Sequence, residues 1–393
     1  MNTHLLYIKI RSSYPNIRWL RRELARIRIR KMKSRLLPED VVLKCENDPE
    51  EKQRVVKAYS QKFAQYLKPD LKKAKKIFTG PDGVTDEEKV TDAIFCRLAY
   101  GFAAAEYLPF QLEKKNHEQR LEYISDIDRF CYVYQMNDIS DVQVFNDKVR
   151  TYELFHEFYK RSCVKVQTQS DLSAFLSFVR EHPVFVKKSA VESLGRSVEL
   201  VDLQKQGRTA EEYFRSLLKE GGKYIIEEKV EMGAELADIS TSVNTVRCIA
   251  LKTRHGVVIP YCFMRFGRNG SIVDNAGAGG IFAGIDTKTG VINTDGYDRL
   301  YDVYKTHPDS GTAFRGLQLP EWESMLSIVK EASSRLPNIH YVGWDMAYSK
   351  NGWLIIEGNG MSQIIAPQFI YQKGIKKEIL GYMSDMDLIT EAP

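Results

Sequence analysis

Apolar positions along this chain follow two different periods. Up to about residue 140 they recur at helical intervals, and residues 49–68 and 85–107 read as helices. TDEE at 85–88 offers Thr85 as N-cap and Glu88 at N3 of a capping box. Beyond residue 140 short β-branched runs appear, VFVKK, YIIEEKV, VRCIAL and VVIPYCFMRFG, separated by helical stretches near 150–160, 171–180, 210–219 and 321–336. Thr209 and Glu212 form a second capping box. Many of the strand connections are too short for parallel crossovers, so the pattern predicts an α+β chain with mostly antiparallel strands behind a mainly helical amino-terminal third.

One hairpin departs from the apolar pattern. In YVGWDMAYSKNGWLIIEGNG, residues 341–360, two acids and an asparagine interrupt aromatic-rich runs. A two-residue Asn351-Gly352 turn would put Asp345 on the face opposite Glu357 and Asn359. A three-residue loop, Lys350-Asn351-Gly352, with Gly352 in the left-handed position of a G1 bulge, pairs Ser349 with Trp353 and Asp345 with Glu357. The second register brings Asp345, Glu357 and Asn359 to one face and is the expectation adopted. Two carboxylates and a carboxamide oxygen there form a hard-oxygen set suited to Mg2+.

Composition narrows the class. Apolar residues make up 43% of the 393 and charged residues 28%, ordinary values for a globular protein, and no apolar run is long enough to span a bilayer. The first residues, MNTHLLYIKIRSSYP, lack the apolar core and cleavage site of a secretory signal, and no pair of the six cysteines has CxxC spacing. Both features predict a cytosolic protein with reduced thiols.

The net charge of +5 conceals an asymmetry. Residues 1–38 hold eleven Lys and Arg against Glu23 alone, a net +10, which leaves −5 for the rest. Within this basic arm Ile17, Leu20, Leu24 and Ile27 fall at helical spacing beside an arginine-rich face. Two partners suit such a helix when residues 1–35 are considered: an anionic membrane surface, or the domain's own acidic surface. Nucleic acid is disfavoured, because the chain after the arm is net acidic and carries no zinc-finger or RNP signature.

Seven segments in order carry a family likeness: NDKVRTYELF, HPVFVKKSAVESLGRSVEL, YIIEEKVEMGAEL, STSVNTVRCIAL, CFMRFGRNGSIVDNAGAGGIFAGID, HPDSGTAFRGLQLPEW and GWDMAYSKNGWLIIEGN. Over roughly residues 95–380 the chain resembles the ATP-grasp superfamily, and within it the sugar-transfer-associated family found with polysaccharide biosynthesis. The resemblance implies two α+β subdomains gripping ATP between antiparallel sheets. The expected division is a basic arm at 1–38, a helical domain at 39–140 and an ATP-grasp domain at 141–385, split at 230/231.

The resemblance also implies roles. Lys148 and Lys187 would face the triphosphate, with a one-position ambiguity between Lys187 and Lys188, and Lys148 also reads as a plain surface lysine. Ser189 and Gly195 belong to a small-residue loop that would fold over the phosphates; it is not a Walker A loop, since no GK[ST] follows. Glu228, Lys229 and Val230 would form the adenine hinge, and Glu235 would accept from the ribose hydroxyls. Arg247 and Arg265 sit among apolar strand neighbours, where a charge must be paired or bind a ligand anion. Their pattern is also similar to ATP-grasp enzymes that add glutamate to a ribosomal protein, where comparable arginines face phosphate and substrate carboxylate. Asn275, with the glycines of NAGAGG, would approach the same site.

The implied activity is ATP- and Mg2+-dependent ligation of a small-molecule carboxylate to an amine, an amino acid or a sugar, through an acyl phosphate. Arg247 and Arg265 would stabilise the developing charge. Two alternatives use the same motifs: a kinase acting on a hydroxyl, and a non-catalytic nucleotide-binding adaptor of a polysaccharide assembly complex.

Overall fold

A computed structural model describes residues 18–191, 198–270 and 279–390. The helical part comprises α1 (Arg18–Lys33), α2 (Glu39–Asn47), α3 (Pro49–Lys62), α4 (Ala64–Phe78), α5 (Glu87–Ala99), α6 (His117–Leu121) and α7 (Asp126–Met136). The stretch expected as one helix at 49–68 is two, broken at Phe63, whose φ of −115° and ψ of 30° leave helical space. The cap of α5 is Asp86 rather than Thr85: its carboxylate accepts from Lys89 N, while Thr85 bridges to Thr79. A carboxylate at this position satisfies the orphan N–H and opposes the helix dipole, which a hydroxyl does less well. The box at Thr209 and Glu212 forms as expected.

After α8 (Lys148–Tyr159) come β1 (Cys163–Val166), α9 (Leu172–Glu181), β2 (Val184–Ser189), β3 (Glu199–Asp202), α10 (Ala210–Glu220) and β4 (Tyr224–Glu228). The four strands form an antiparallel sheet in the order β1-β4-β2-β3. Its outer face, Val166, Phe185 and Ile226, packs on Phe175, Phe214 and Leu217 of α9 and α10. Strand alternation therefore turns Val186, Lys188, Ile225 and Glu227 to the inner face.

The rest of the chain contributes α11 (Ala234–Ala237), β5 (Thr245–Thr253), β6 (Gly256–Phe266), β7 (Ile281–Ile285), β8 (Ile292–Tyr297), β9 (Val303–Tyr304), α12 (Trp322–Ser334), β10 (Tyr341–Ser349), β11 (Gly352–Asn359), α13 (Ile365–Tyr371) and α14 (Lys376–Ser384). Its seven strands pair antiparallel in the order β11-β10-β5-β6-β7-β8-β9. The outer face buries Val246, Cys248, Met264 and Trp344 against Met325 and Val329 of α12. On the inner face, toward β7, Phe263 and Phe282 meet Phe369 of α13 and join the core of the helical part.

The expected boundary at residue 140 does not mark a change of core. Core residues from Ile124 to Phe145, including those of α7, join the large-sheet core on both sides of residue 140, and so does α1 through Leu24, Ala25, Ile29 and Met32. The apolar stripe of α1 is thus turned relative to the one expected: Ile27 is exposed, and Ile17 lies outside the described residues. Among the described residues no helix is long and apolar enough to cross a membrane.

Candidate active site

The β10–β11 hairpin pairs Asp345 with Glu357, as expected, but by a different route. Ser349 pairs with Gly352 and Tyr348 with Trp353, so the connection is Lys350-Asn351 and the expected Ser349–Trp353 pair is absent. Gly352 does carry φ +81°, the left-handed turn conformation a glycine tolerates. The register is then shifted inside the strand: Met346 pairs with Ile355 and Asp345 with Glu357, leaving Ile356 as the extra residue of a bulge. Gly343 pairs with Asn359, so Asp345, Glu357 and Asn359 share one face.

That face continues onto β5 and β6. Asp345 pairs with Arg247, and Arg265 pairs with Thr245, two residues from Arg247. Arg247 grips Asp345 with both Nε and Nη2, while Arg265 Nη2 reaches Asp345 Oδ2 at 2.8 Å and donates to Thr245 Oγ1 at 2.6 Å. Burial pushes the Asp345 carboxyl up, but Arg247 and Arg265 together more than offset this and hold it below its ordinary value. Arg247 also donates to Ser362 Oγ at 2.6 Å. Gly343 makes room for that contact, since a Cβ there would lie 2.2 Å from Ser362 Oγ.

The three residues expected as metal ligands divide accordingly. Asp345 is 4% exposed and has both oxygens committed to arginines. Glu357 is half-buried beside it, and Asn359 is oriented by Met361 N, which donates to its Oδ1 at 2.8 Å. Two carboxylates and a carboxamide on one face fit a hard divalent cation in donor chemistry. An anion that drew Arg247 and Arg265 away would release the Asp345 oxygens to complete the set.

A second charged cluster lies on the inner face of the small sheet. Glu227, 3% exposed, receives Arg161 Nη2 at 2.8 Å and Lys188 Nζ at 2.8 Å. Burial raises its carboxyl, but these two cations outweigh that and bring it down to about 2. Arg161 Nη1 also donates to Ile355 O on β11 at 2.8 Å, tying the two sheets together. Tyr159 sits where the clusters meet. Burial lifts its phenol well above the ordinary range, Arg161 opposes this, and Glu227 and Glu357 add to it.

Lys187 is not brought to this face. It lies on the helix-packed side of β2, with Nζ 2.9 Å from Glu199 and 3.9 Å from Glu220 and 5.4 Å from the Tyr224 ring. The inward lysine is Lys188, because alternation from the buried Phe185 turns positions 186 and 188 the other way. Ser189 shares the outer side with Lys187, opposite Tyr224. Lys148 opens α8 beside the end of β2, its backbone N donating to Ala190 O at 2.9 Å. Glu228 is engaged by Ser162 N through its carboxylate, and its own N donates to Ser162 O. Lys229 and Val230 follow outside the ladder, and Glu235 is exposed on α11. Gly195 and Asn275 lie outside the described residues.

Four contributors escape sequence reasoning: Arg161, Glu227, Ser362 and Gly343. For Glu227 a signal existed, since it alternates with the apolar Ile226 in YIIEE; the others are defined only by contacts remote in sequence.

Residues 129–381 match the family model described as sugar-transfer associated ATP-grasp. Among solved structures the chain is similar to D-alanyl-alanine synthetase A from Vibrio cholerae, with 10% identity, a TM-score of 0.39 and coverage of 63% of this chain and 67% of that one. It is also similar to N5-carboxyaminoimidazole ribonucleotide synthetase from Thermus thermophilus, with 14% identity, a TM-score of 0.35 and coverage of 56% and 47%. A third is N5-carboxyaminoimidazole synthase from Aspergillus clavatus in complex with ADP and 5-aminoimidazole ribonucleotide, with 9% identity, a TM-score of 0.35 and coverage of 57% and 47%. The chain spans about half to two thirds of the length of these structures. A comparison with curated proteins finds no match.

Proposed function

The chain belongs to the sugar-transfer associated ATP-grasp family, and from that premise we propose that it is an ATP- and Mg2+-dependent carboxylate–amine ligase serving surface polysaccharide or glycoconjugate assembly. The observation that carries the reading is the convergence of Arg247, Arg265, Asp345, Glu357 and Asn359 on one inner face of the large sheet. Arginine forks beside hard oxygen donors are what a triphosphate and its metal require.

In this reading Glu357 and Asn359 hold the metal, joined by Asp345 when the phosphates draw its two arginines away. Bound there, the metal would supply neutralisation of the phosphate charge. Lys188 meets the phosphates from the small sheet, and Lys148 adds charge beside it. The segment Glu228–Val230 lies along the adenine edge, with Glu235 at the ribose. The substrate carboxylate oxygen attacks the γ-phosphorus, the bond to the β-phosphate oxygen breaks, and ADP leaves an acyl phosphate. An amine nitrogen then attacks the acyl carbon, the C–N bond forms as phosphate departs, and the amine loses a proton. Arg247 and Arg265 stabilise the transferred charge, so no side-chain nucleophile is needed.

The test combines a substrate screen with one variant. ADP release from wild type should depend on an added amine when amino acids, uronic acids and amino sugars are offered with ATP and Mg2+. Release that needs only a hydroxyl acceptor would point to a kinase instead. Glu357→Gln, which removes a ligand charge at nearly constant shape, should abolish turnover with folding intact. Wild-type turnover in that variant would remove the metal face.

The exposed side of α1 supports a peripheral role. Its apolar stripe is buried, leaving Trp19 and Ile27 exposed among Arg22, Arg30, Lys31 and Lys33, a face suited to anionic lipid headgroups. Deleting residues 1–35 should reduce binding to anionic vesicles in a salt-sensitive way, at about 1 kcal/mol per cation near the surface. Binding that survives the deletion would assign α1 to packing alone.

A further inference from the structure

The segment that follows β11, residues 359–362, is fastened from outside the large sheet. Two residues of one helix do most of this. Asn137, at the C-terminal end of α7 and 1% exposed, uses all four of its side-chain hydrogen bonds. Its Nδ2 donates to Tyr341 O at 2.7 Å and to Gly360 O at 2.8 Å, and its Oδ1 accepts from His340 N and Tyr341 N at 2.9 Å each. Two turns earlier Arg129 Nη1 donates to Met361 O at 3.1 Å. The guanidinium itself is held by Asp126 at 3.0 Å and lies 3.9 Å over the Phe130 ring. Asp126 in turn binds Arg97 of α5 at 3.2 Å.

The peptide so gripped is the one that orients both halves of the inner face. Met361 donates its N–H to Asn359 Oδ1, so the carbonyl held by Arg129 and the N–H that aims Asn359 belong to the same residue. Ser362, the next residue, accepts from Arg247 through Oγ, and its carbonyl accepts from Tyr341 OH at 3.0 Å. The position is crowded: a Cβ at Gly360 would lie 2.9 Å from Val142. A buried arginine is an expensive way to hold a helix against a sheet, and apolar packing would do that at less cost. What the guanidinium adds is a directional donor at one carbonyl.

We propose that Arg129, supported by Asn137, is a positioning residue that sets Asn359 and Arg247 for metal and phosphate, so that α7 forms the outer layer of the site. The proposal rests on the ligase reading for the identity of the bound groups, while the anchoring of the 357–363 segment stands separately. Outer partners of metal ligands characteristically change metal affinity by about 10–100-fold when altered.

The test uses the full chain and the variants Arg129→Lys and Arg129→Met. Arg129→Lys keeps a charge beside Asp126 but loses the planar fork, and Arg97 still compensates Asp126 in both variants. Three quantities are measured: amide hydrogen exchange across residues 357–363, the Mg2+ concentration for half-maximal ATP binding, and AMP affinity. Exchange in that segment should quicken in both variants, the Mg2+ requirement should rise about ten-fold in Arg129→Met and less in Arg129→Lys, and AMP affinity should stay within two-fold. Unchanged exchange overturns the proposal whatever the nucleotide data. A parallel loss of AMP and Mg-ATP affinity overturns it too, since general loosening would produce that. If wild type binds ATP without any dependence on Mg2+, the ligase reading fails, and faster exchange in the variants still supports the positioning role. Should Arg129→Met fail to fold, Arg129→Lys carries the same three readouts.

Discussion

On the small sheet Glu227 lies between Arg161 and Lys188; on the large sheet Asp345 lies between Arg247 and Arg265. Both are single buried carboxylates shared by two cations, both face inward, and in both the cations outweigh burial and keep the acid ionised. The clusters differ in which cations are free to leave. The Arg161 side chain is 2% exposed and is pinned by the Tyr159 and Ile355 carbonyls as well as by Glu227. Lys188, Arg247 and Arg265 are 12–13% exposed, enough to meet a ligand at the face. In the proposed reading the same arrangement of charges serves as a fixed strut at Arg161 and as transferable cations at Lys188, Arg247 and Arg265. A buried ion pair becomes a site only where a donor retains access to a competing anion.

Two measurements would break or sharpen that contrast. The larger effect is expected at the strut. Arg161→Met should cost about 3–5 kcal/mol, because it leaves Glu227 buried with one cation and frees the Ile355 carbonyl. Arg265→Met should cost only about 1 kcal/mol, since Arg247 keeps Asp345 paired through two bonds. Urea denaturation of both variants checks the ranking, and equal losses would erase the distinction between strut and transferable cation.

The smaller effect concerns the adjacent lysines of β2. Lys188→Ala should weaken ATP by about 10–100-fold, the scale of a lost charge-assisted hydrogen bond, and AMP much less. Lys187→Ala should change either nucleotide less than about three-fold, because its ion pair with Glu199 is half solvated and lies on the helix side. Isothermal titration with the two nucleotides separates the cases. A larger ATP loss at Lys187 would mean that the small sheet presents its other face to the nucleotide.

Much of this molecule is legible in its residue order, and the limits are instructive. The Asp345–Glu357 pairing followed from strand periodicity and the glycine in SKNG, although the structure reaches it with a bulge at Ile356 rather than with a three-residue loop. Local chemistry demanded that the two residues face each other but not which residue absorbed the extra step. The expectation that cations inside apolar strands need a partner was met when Arg247 and Arg265 found Asp345. That partner was expected as a metal ligand, because a sequence names the charges and not the competition among them.

The sequence by itself determined the two periodicities, the antiparallel α+β class, the ends of the later helices such as α9, α10 and α12 to within about two residues and the side chains that alternate on each strand. Each of these follows from forces acting over a few residues: backbone sterics, capping and amphipathic burial. Only the tertiary structure decided that Lys188 rather than Lys187 looks inward, that the apolar stripe of α1 is Leu24, Ala25, Ile29 and Met32, and that Arg129 and Asn137 hold the segment beside Asn359. Alternation says which residues share a face but not which face meets the partner layer. That choice is made by burial and ion pairing between segments as far apart as Arg129 and Met361, where no local rule of the chain operates.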